Sequence, residues 1–377
     1  MEFKIIIDYS VNSEEKVIPL EKKIEYEYHR IVIDKEEKKE KIICDIVNFE
    51  NNKIVIEGSR VKPIKIKDCW RSKKSNYRRC ILSSLFYLYN YYKIPIHIES
   101  IKINNLKNEE DIPFNQEFKV PLPNDFSIDL TKIEYIFKRI SFPELSEVVY
   151  SILHSQALFL KSKDFYSSYK SFNSMYTFYY NYHDKLQESG SNKNADKDAI
   201  IALLNLDNLE SNCQKSVSLA EKYFTDKFKE VYKLSYVWLL EENISEERFK
   251  GVICDQNFSY KNKNVLKLIK DLAENYYEIN LPCRKVIKDF TKRWKLESAD
   301  YKINYLQFLS VYAVYRRNKL LHGEHVDSTF LIPDVNADIL FKFSEIIFQF
   351  SIDLVNSIAV KDFTISRILE NTSKRYL

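Results

Sequence analysis

The segment Arg317-Asn318-Lys319-Leu320-Leu321-His322-Gly323 combines residue types suited to acid–base chemistry beside an anion. Imidazole titrates near about 6.5, so His322 can take or give a proton at cellular pH. A guanidinium stays charged and offers a planar fork to two phosphoryl oxygens, the role open to Arg317. Asn318 supplies a polar neighbour. On an ideal helix Arg317 and His322 stand about 140° apart, whereas Asn318 and His322 share a face. Gly323 is the residue type expected just past a helix C-terminus, which puts His322 at a fraying end where it can turn. Arg316 is an alternative cation, but the polar residue follows Arg317. The same residues also suit a plain helix end, with Arg317 offsetting the C-terminal dipole and His322 capping a carbonyl.

A second cluster of chemistry-bearing residues runs from Arg60 to Arg79. Arg60, Lys62, Lys65, Lys67, Arg71, Lys73, Lys74, Arg78 and Arg79 face the single acid Asp68, a local charge of +8, with Trp70 and Tyr77 interleaved. Cations can track phosphates while rings stack on unpaired bases, the pattern single-stranded nucleic acid prefers. Arg60, Lys67, Trp70, Arg71, Lys73, Lys74, Tyr77, Arg78 and Arg79 are therefore candidate RNA-binding residues. A solvated basic loop with Trp70 turned into the core is the plainer reading of the same run. The other histidines, among them His183 beside Asp184, share no spacing that marks a ligand set.

These residues must be held by elements that the chain itself can build. Its 377 residues are enough for two domains, and 27 Tyr with 24 Phe supply ring surface that a disordered chain lacks. Only four glycines occur, at 58, 190, 251 and 323, and neither G-x-G-x-x-G nor a Walker-type loop is present. Nucleotide chemistry on a glycine-rich phosphate loop is excluded. The six cysteines form no C-x-x-C pair and read as reduced core thiols, and no metal or other cofactor is expected. The start lacks a signal peptide's apolar stretch, and the apolar run Phe341 to Ile358 is broken by Glu345 and Asp353. A cytoplasmic protein without a membrane partner is expected.

The first third alternates with period two. Strands are predicted at Ile24–Tyr28, Ile31–Ile33, Ile42–Cys44 and Ile54–Ile56, joined by the charged connector Asp34–Glu40 and the polar turn Glu50–Lys53. A helix at about Ile81–Tyr92 and a strand at Ile96–Ile103 follow, and Pro113, Pro121 and Pro123 mark a boundary near Asn124. Beyond it the period is helical. Ser141-Phe142-Pro143-Glu144 has capping-box spacing for a helix to about Leu160, and Lys163–Gln187 reads as an aromatic helix ending in the polar cluster Glu188–Asn194. Further helices are predicted at Asp198–Glu242 with a break, Asn264–Ile279, Pro282–Glu297, Lys302–His322 and Asn336–Val360. The expected fold is α+β: a β-rich antiparallel N-terminal domain over 1–124, for RNA binding or sensing, followed by a larger all-α domain over 125–377.

Arg317, the polar Asn318 and His322, set at the end of the aromatic helix Tyr305–Arg316, resemble the signature of the HEPN superfamily. Leu320-Leu321-His322-Gly323 looks like the form found in HEPN domains of prokaryotic defence and toxin proteins of the Apea-like type. The helix Tyr169–Tyr180 would be the earlier helix that packs beside the motif helix. The resemblance covers roughly Pro143 to the C-terminus. It implies an all-α HEPN-like domain, endoribonuclease activity in toxin or antiviral defence, and a homodimer whose two motifs share one composite active site, with a phage or partner-protein trigger in play. Some similar toxins carry a modifiable Tyr two residues after the His; Glu324 stands there in this chain. A non-catalytic HEPN-like scaffold that binds RNA or dimerises is the alternative.

The reaction such residues can run is RNA cleavage without a metal. The 2′-OH attacks phosphorus, a base takes its proton, an acid protonates the leaving 5′ oxygen, and a fixed cation meets the charge that builds on the phosphorane.

Overall fold

The computed structural model of the chain describes residues 2–11, 17–34, 37–61, 75–105, 108–112, 126–162, 164–182, 199–200, 203–204, 206, 208–226 and 333–358, with single positions at 306, 309, 310, 313 and 317. Six antiparallel strands make one sheet: β1 Glu2–Val11, β2 Lys22–Asp34, β3 Glu37–Glu50, β4 Lys53–Ser59, β5 Ile96–Asn105 and β6 Asn108–Asp111. Their order is β2-β3-β4-β1-β5-β6. In chain order the described helices are α1 Asn76–Tyr92, the short α2 Leu130–Ile133 with a 3-10 turn Glu134–Ile136, α3 Pro143–Ser162, α4 Phe165–Tyr182, α5 Leu209–Asn212, α6 Gln214–Asp226 and α7 Pro333–Ser357. The chain is thus mixed α+β with an antiparallel sheet at its N-terminal end. No helix among the described residues is long and apolar enough to cross a membrane.

Strand parity explains the sheet's core. Phe3, Ile5, Ile7 and Tyr9 of β1 are buried, as are Val47 and Phe49 of β3, so one face of each strand is turned inward. Tyr87 of α1 packs its ring on Phe49 at 5.1 Å and edge-on to Phe137 at 6.1 Å, while Phe137 also meets Tyr26 edge-on. The Glu27 N–H donates to the Phe137 carbonyl at 2.8 Å, which covers the outer edge of β2 locally. Phe137, beyond Asn124, is therefore part of the sheet's own packing. Contacts gather Met1–Lys163, Asn173–Phe178 and Leu354–Leu377 into one compact unit, and Asp164–Phe172 with Tyr179–Asp353 into a second. The expected boundary itself lies in 113–125, outside the described residues.

Several elements differ from their expectation for physical reasons. The two strands predicted at 24–28 and 31–33 are one 13-residue strand, and the charged connector Asp34–Glu40 is mostly strand, because β2 pairs with β3 from Lys22↔Phe49 to Asp34↔Glu37. A ladder is a backbone bond and does not require apolar side chains. Helix α1 starts at Asn76, five residues before its prediction, because the Ser75 hydroxyl accepts from the Arg78 N–H. Ser141 does not close a capping box: its hydroxyl donates to Glu27 Oε2 at 3.1 Å, and α3 begins at Pro143. Cys80 and Cys213 are buried free thiols as expected, but Cys44 is exposed, since it sits on the outward parity of β3. The polar cluster Glu188–Asn194 and the helices expected at 264–279 and 282–297 lie outside the described residues.

In the second unit, rings set the packing. Phe165 stacks on Phe343 at 5.9 Å, and Phe172 meets Phe350 at 5.5 Å. Asp353, one of the two acids that interrupt the late apolar run, is buried and accepts from the Ser216 N–H at 2.8 Å and from Gln349 Nε2 at 2.7 Å. It caps the first turn of α6 from a different helix. Burial pushes the Asp353 carboxyl above its ordinary value, with the bonds from Ser216 and Gln349 acting against that rise.

Candidate functional site

The described positions of the motif helix follow one stripe. Leu306, Leu309, Ser310 and Ala313 are buried and helical, and Arg317 is helical and half-buried; the spacing i, i+3, i+4, i+7, i+11 keeps them on one face. Arg317 is the last described position of that stripe. Its Nε–H donates to the Tyr169 hydroxyl at 3.2 Å, with the guanidinium carbon 5.5 Å from the ring centroid. Tyr169 is buried on α4, one turn after Phe165, whose ring lies 5.9 Å away and itself stacks on Phe343. Three aromatic positions thus fix the partner to which Arg317 is tied.

Chemically, an N–H···O bond to a neutral phenol uses one of the five guanidinium donors and sets the plane of the fork. The charge meets a dipole at this bond, not a carboxylate. Of the three residues expected to act together, Arg317 is seen and Asn318 and His322 lie outside the described residues. Arg317, which falls in the helix predicted at Lys302–His322, touches α4 through this bond.

The basic segment divides. Lys67, Trp70, Arg71, Lys73 and Lys74 lie outside the described residues. Arg60, at the end of β4, is bonded by Nη1 and Nη2 to Asp45 Oδ1 and Oδ2 at 2.7 and 2.5 Å. Its guanidinium lies 4.4 to 4.7 Å from the ring centroids of Phe3, Tyr28 and Tyr77. Asp45 is wholly buried and the Arg60 side chain only 12% exposed. Burial raises the Asp45 carboxyl while Arg60 holds it down; burial also works against the charge on Arg60, and Asp45 together with Tyr77 and Tyr28 holds that guanidinium above its ordinary value. Gly58 makes room: a Cβ there would come within 2.1 Å of Asp45 Oδ1. These contacts hold Arg60 and Tyr77 within the fold of the first unit.

Arg78 and Arg79 stand in the first turn of α1. Arg79 Nη1 pairs with Glu147 Oε1 at 2.9 Å, Nη2 donates to Ser146 Oγ at 3.3 Å, and the guanidinium lies over Tyr150 at 4.3 Å. Arg139 Nε reaches the same Glu147 oxygen at 3.3 Å. Arg139, Glu147 and Tyr150 were not among the sequence candidates, because their meeting with Arg79 is a tertiary event with no local pattern. Asp45 had a signal: it falls on the inward parity of β3 with Val47 and Phe49, and an inward acid requires a buried cation.

Among the described residues no group of three or more His, Cys, Asp or Glu side chains is placed to hold a metal ion. No family model, no curated protein and no solved structure matches this chain.

Proposed function

We propose that the chain is an endoribonuclease of the HEPN type that cuts RNA by 2′-OH attack, acting in toxin or antiphage defence. The observation that supports this reading best is the bond from Arg317 to Tyr169, which ties the arginine of the motif to the aromatic helix that the resemblance pairs with it. Arg317 meets the charge on the phosphorane, His322 transfers the protons, and Asn318 orients the phosphate or the imidazole. The bond from the 2′ oxygen to phosphorus forms, the bond to the 5′ oxygen breaks, and that oxygen leaves with a proton. Products are a 2′,3′-cyclic phosphate and a 5′-hydroxyl. These three side chain types supply acid, base and cation, so the step calls for no metal.

In this reading the C-terminal region is an all-α HEPN-like domain, and two chains pair so that Arg317 of one and His322 of the other serve one phosphate. One Arg and one His per chain form a thin active site; a dimer doubles them. The β-rich part binds RNA or senses a trigger.

The same contact favours a second reading. An arginine half-buried on a packed stripe suits a HEPN-like scaffold that binds RNA or dimerises without cutting. Purified protein incubated with total RNA and EDTA separates the two. The nuclease yields chelator-resistant fragments that end in 2′,3′-cyclic phosphate; the scaffold leaves RNA intact and bound in a salt-sensitive way.

A further inference from the structure

Two elements bring three arginines to one place in the first unit. Arg78 and Arg79 come from the first turn of α1, and Arg139 from the turn before α3. Arg79 binds both oxygens of Glu147, at 2.9 and 3.1 Å, and Arg139 binds one of them. Arg78 makes no ion pair among the described residues. The charges acting on the Tyr150 hydroxyl, which burial pushes up, are those of Arg79, Arg78 and Arg139 on one side and Glu147 on the other. Three cations thus converge with one carboxylate, a surplus of two positive charges.

This surplus does not serve the fold. Arg78 and Arg79 stand at the positive end of the α1 dipole, and the first turn holds no acid, so the two cations add to the local potential where stability favours an anion. Glu147 is 51% exposed and Arg139 38%, so their pair contributes little and is readily exchanged. Arg79 is different: its side chain is only 13% exposed, and Ser146 and Tyr150 hold its fork in place whatever occupies the far side. Its Nε–H is buried and has no acceptor. The arrangement is a preset fork closed by a replaceable carboxylate.

We propose that Arg78, Arg79 and Arg139 form a phosphate-binding site for the backbone of single-stranded RNA, with Glu147 occupying the phosphate position in the free protein. A phosphodiester presents two non-bridging oxygens, as the carboxylate does, and Arg79 Nη1, which meets both Glu147 oxygens, can meet both of those in its place. In the sequence Arg78 and Arg79 follow Lys67, Arg71, Lys73 and Lys74, and so basic a stretch of chain suits a repeating phosphate backbone better than a single anion. The choice of RNA rests on the function proposed above. The anion site stands on its own geometry.

The test uses the full chain and a fluorescent 2′-O-methyl oligouridine, which binds but has no 2′-OH for cleavage, titrated at several salt concentrations. Arg139→Gln is expected to weaken binding about tenfold, the loss of one charge-assisted contact, and to lower the salt slope by about 0.7. Arg78→Gln, which breaks no ion pair, is expected to act in the same direction and serves if Arg139→Gln melts early. Glu147→Gln is expected to tighten binding roughly threefold by removing the competing carboxylate. Unchanged affinity in both arginine variants, or weaker binding by Glu147→Gln, overturns the proposal. Competition by polyglutamate on equal terms with the oligonucleotide also overturns it, since the site would then read acidic peptide. Cleavage of unmodified RNA is measured in parallel. Binding that shifts as stated without cleavage removes the nuclease and keeps the site; cleavage with binding indifferent to these variants does the reverse.

Discussion

Arg60 and Arg79 bound the same basic segment, yet the fold uses them in opposite ways. Arg60 meets a carboxylate that has no exposure at all and is enclosed by three rings. Arg79 meets a carboxylate that is half in water and is shared with Arg139. A buried carboxylate cannot give up its cation without a large desolvation cost, whereas an exposed one can be replaced by any anion. Local charge in the sequence therefore does not tell which arginine is available. The burial of its partner does.

The largest test of that contrast is Arg60→Ala. It leaves Asp45 charged, buried and alone, and is expected to cost about 3 to 5 kcal/mol in a urea melt. Joint replacement of Asp45 by Leu and Arg60 by Met is expected to recover most of the loss, because an apolar pair of similar size needs no partner. Recovery absent, with both variants folded, would show that the rings hold Arg60 and not the acid.

Gly58→Ala sharpens the same side of the comparison. The added Cβ meets Asp45 Oδ1 at 2.1 Å and Phe3 Cε1 at 2.8 Å, so the carboxylate must leave its fork. A loss of about 1 to 3 kcal/mol is expected, as for overpacked cores. At Glu147, by contrast, replacement by Ala is expected to cost no more than about 1 kcal/mol, the usual worth of an exposed pair. A Glu147→Ala variant as damaged as Arg60→Ala would erase the distinction.

Why one of these sites was legible and the other was not follows from the range of the signal. β-Strand signals are local, so β4 and the strand at Ile96 could be read from their β-branched residues, whereas β1 Glu2–Val11 is not among the strands predicted although it alternates buried and half-exposed. Parity also points to Asp45 as an acid needing a cation. The charged half of β3 escaped, since Glu37–Lys41 carries no apolar alternation and is held by a backbone ladder alone. Arg139 and Glu147 escaped for a different reason: they reach Arg79 through the packing of α1 against α3, and no spacing in the chain encodes that meeting. At the motif, residue type announced Arg317 as the cation, and its bond to Tyr169 is long-range, announced only by the helix that the resemblance paired with it.

Asp353 offers a milder case, a buried acid held by amide donors and no arginine. Its carboxyl is raised by burial, so the folded chain binds this proton more readily than the unfolded one. The stability it contributes is present below the ordinary carboxylate range and is lost as pH rises through the raised value. Asp353→Asn is expected to flatten the dependence of the melting midpoint on pH above the ordinary carboxylate range. An unchanged slope would mean that the carboxyl titrates as in the unfolded chain.

Arg317 carries the proposed reaction most directly. Wild-type protein, RNA and EDTA are compared with Arg317→Ala and His322→Ala under the same conditions, with a thermal melt of each. The expected result is chelator-resistant cleavage by the wild type, reduced about 10² to 10³-fold or more in both variants, with melting midpoints close to the wild type. Full cleavage by Arg317→Ala, or wild-type protein that binds RNA and leaves it whole, contradicts it.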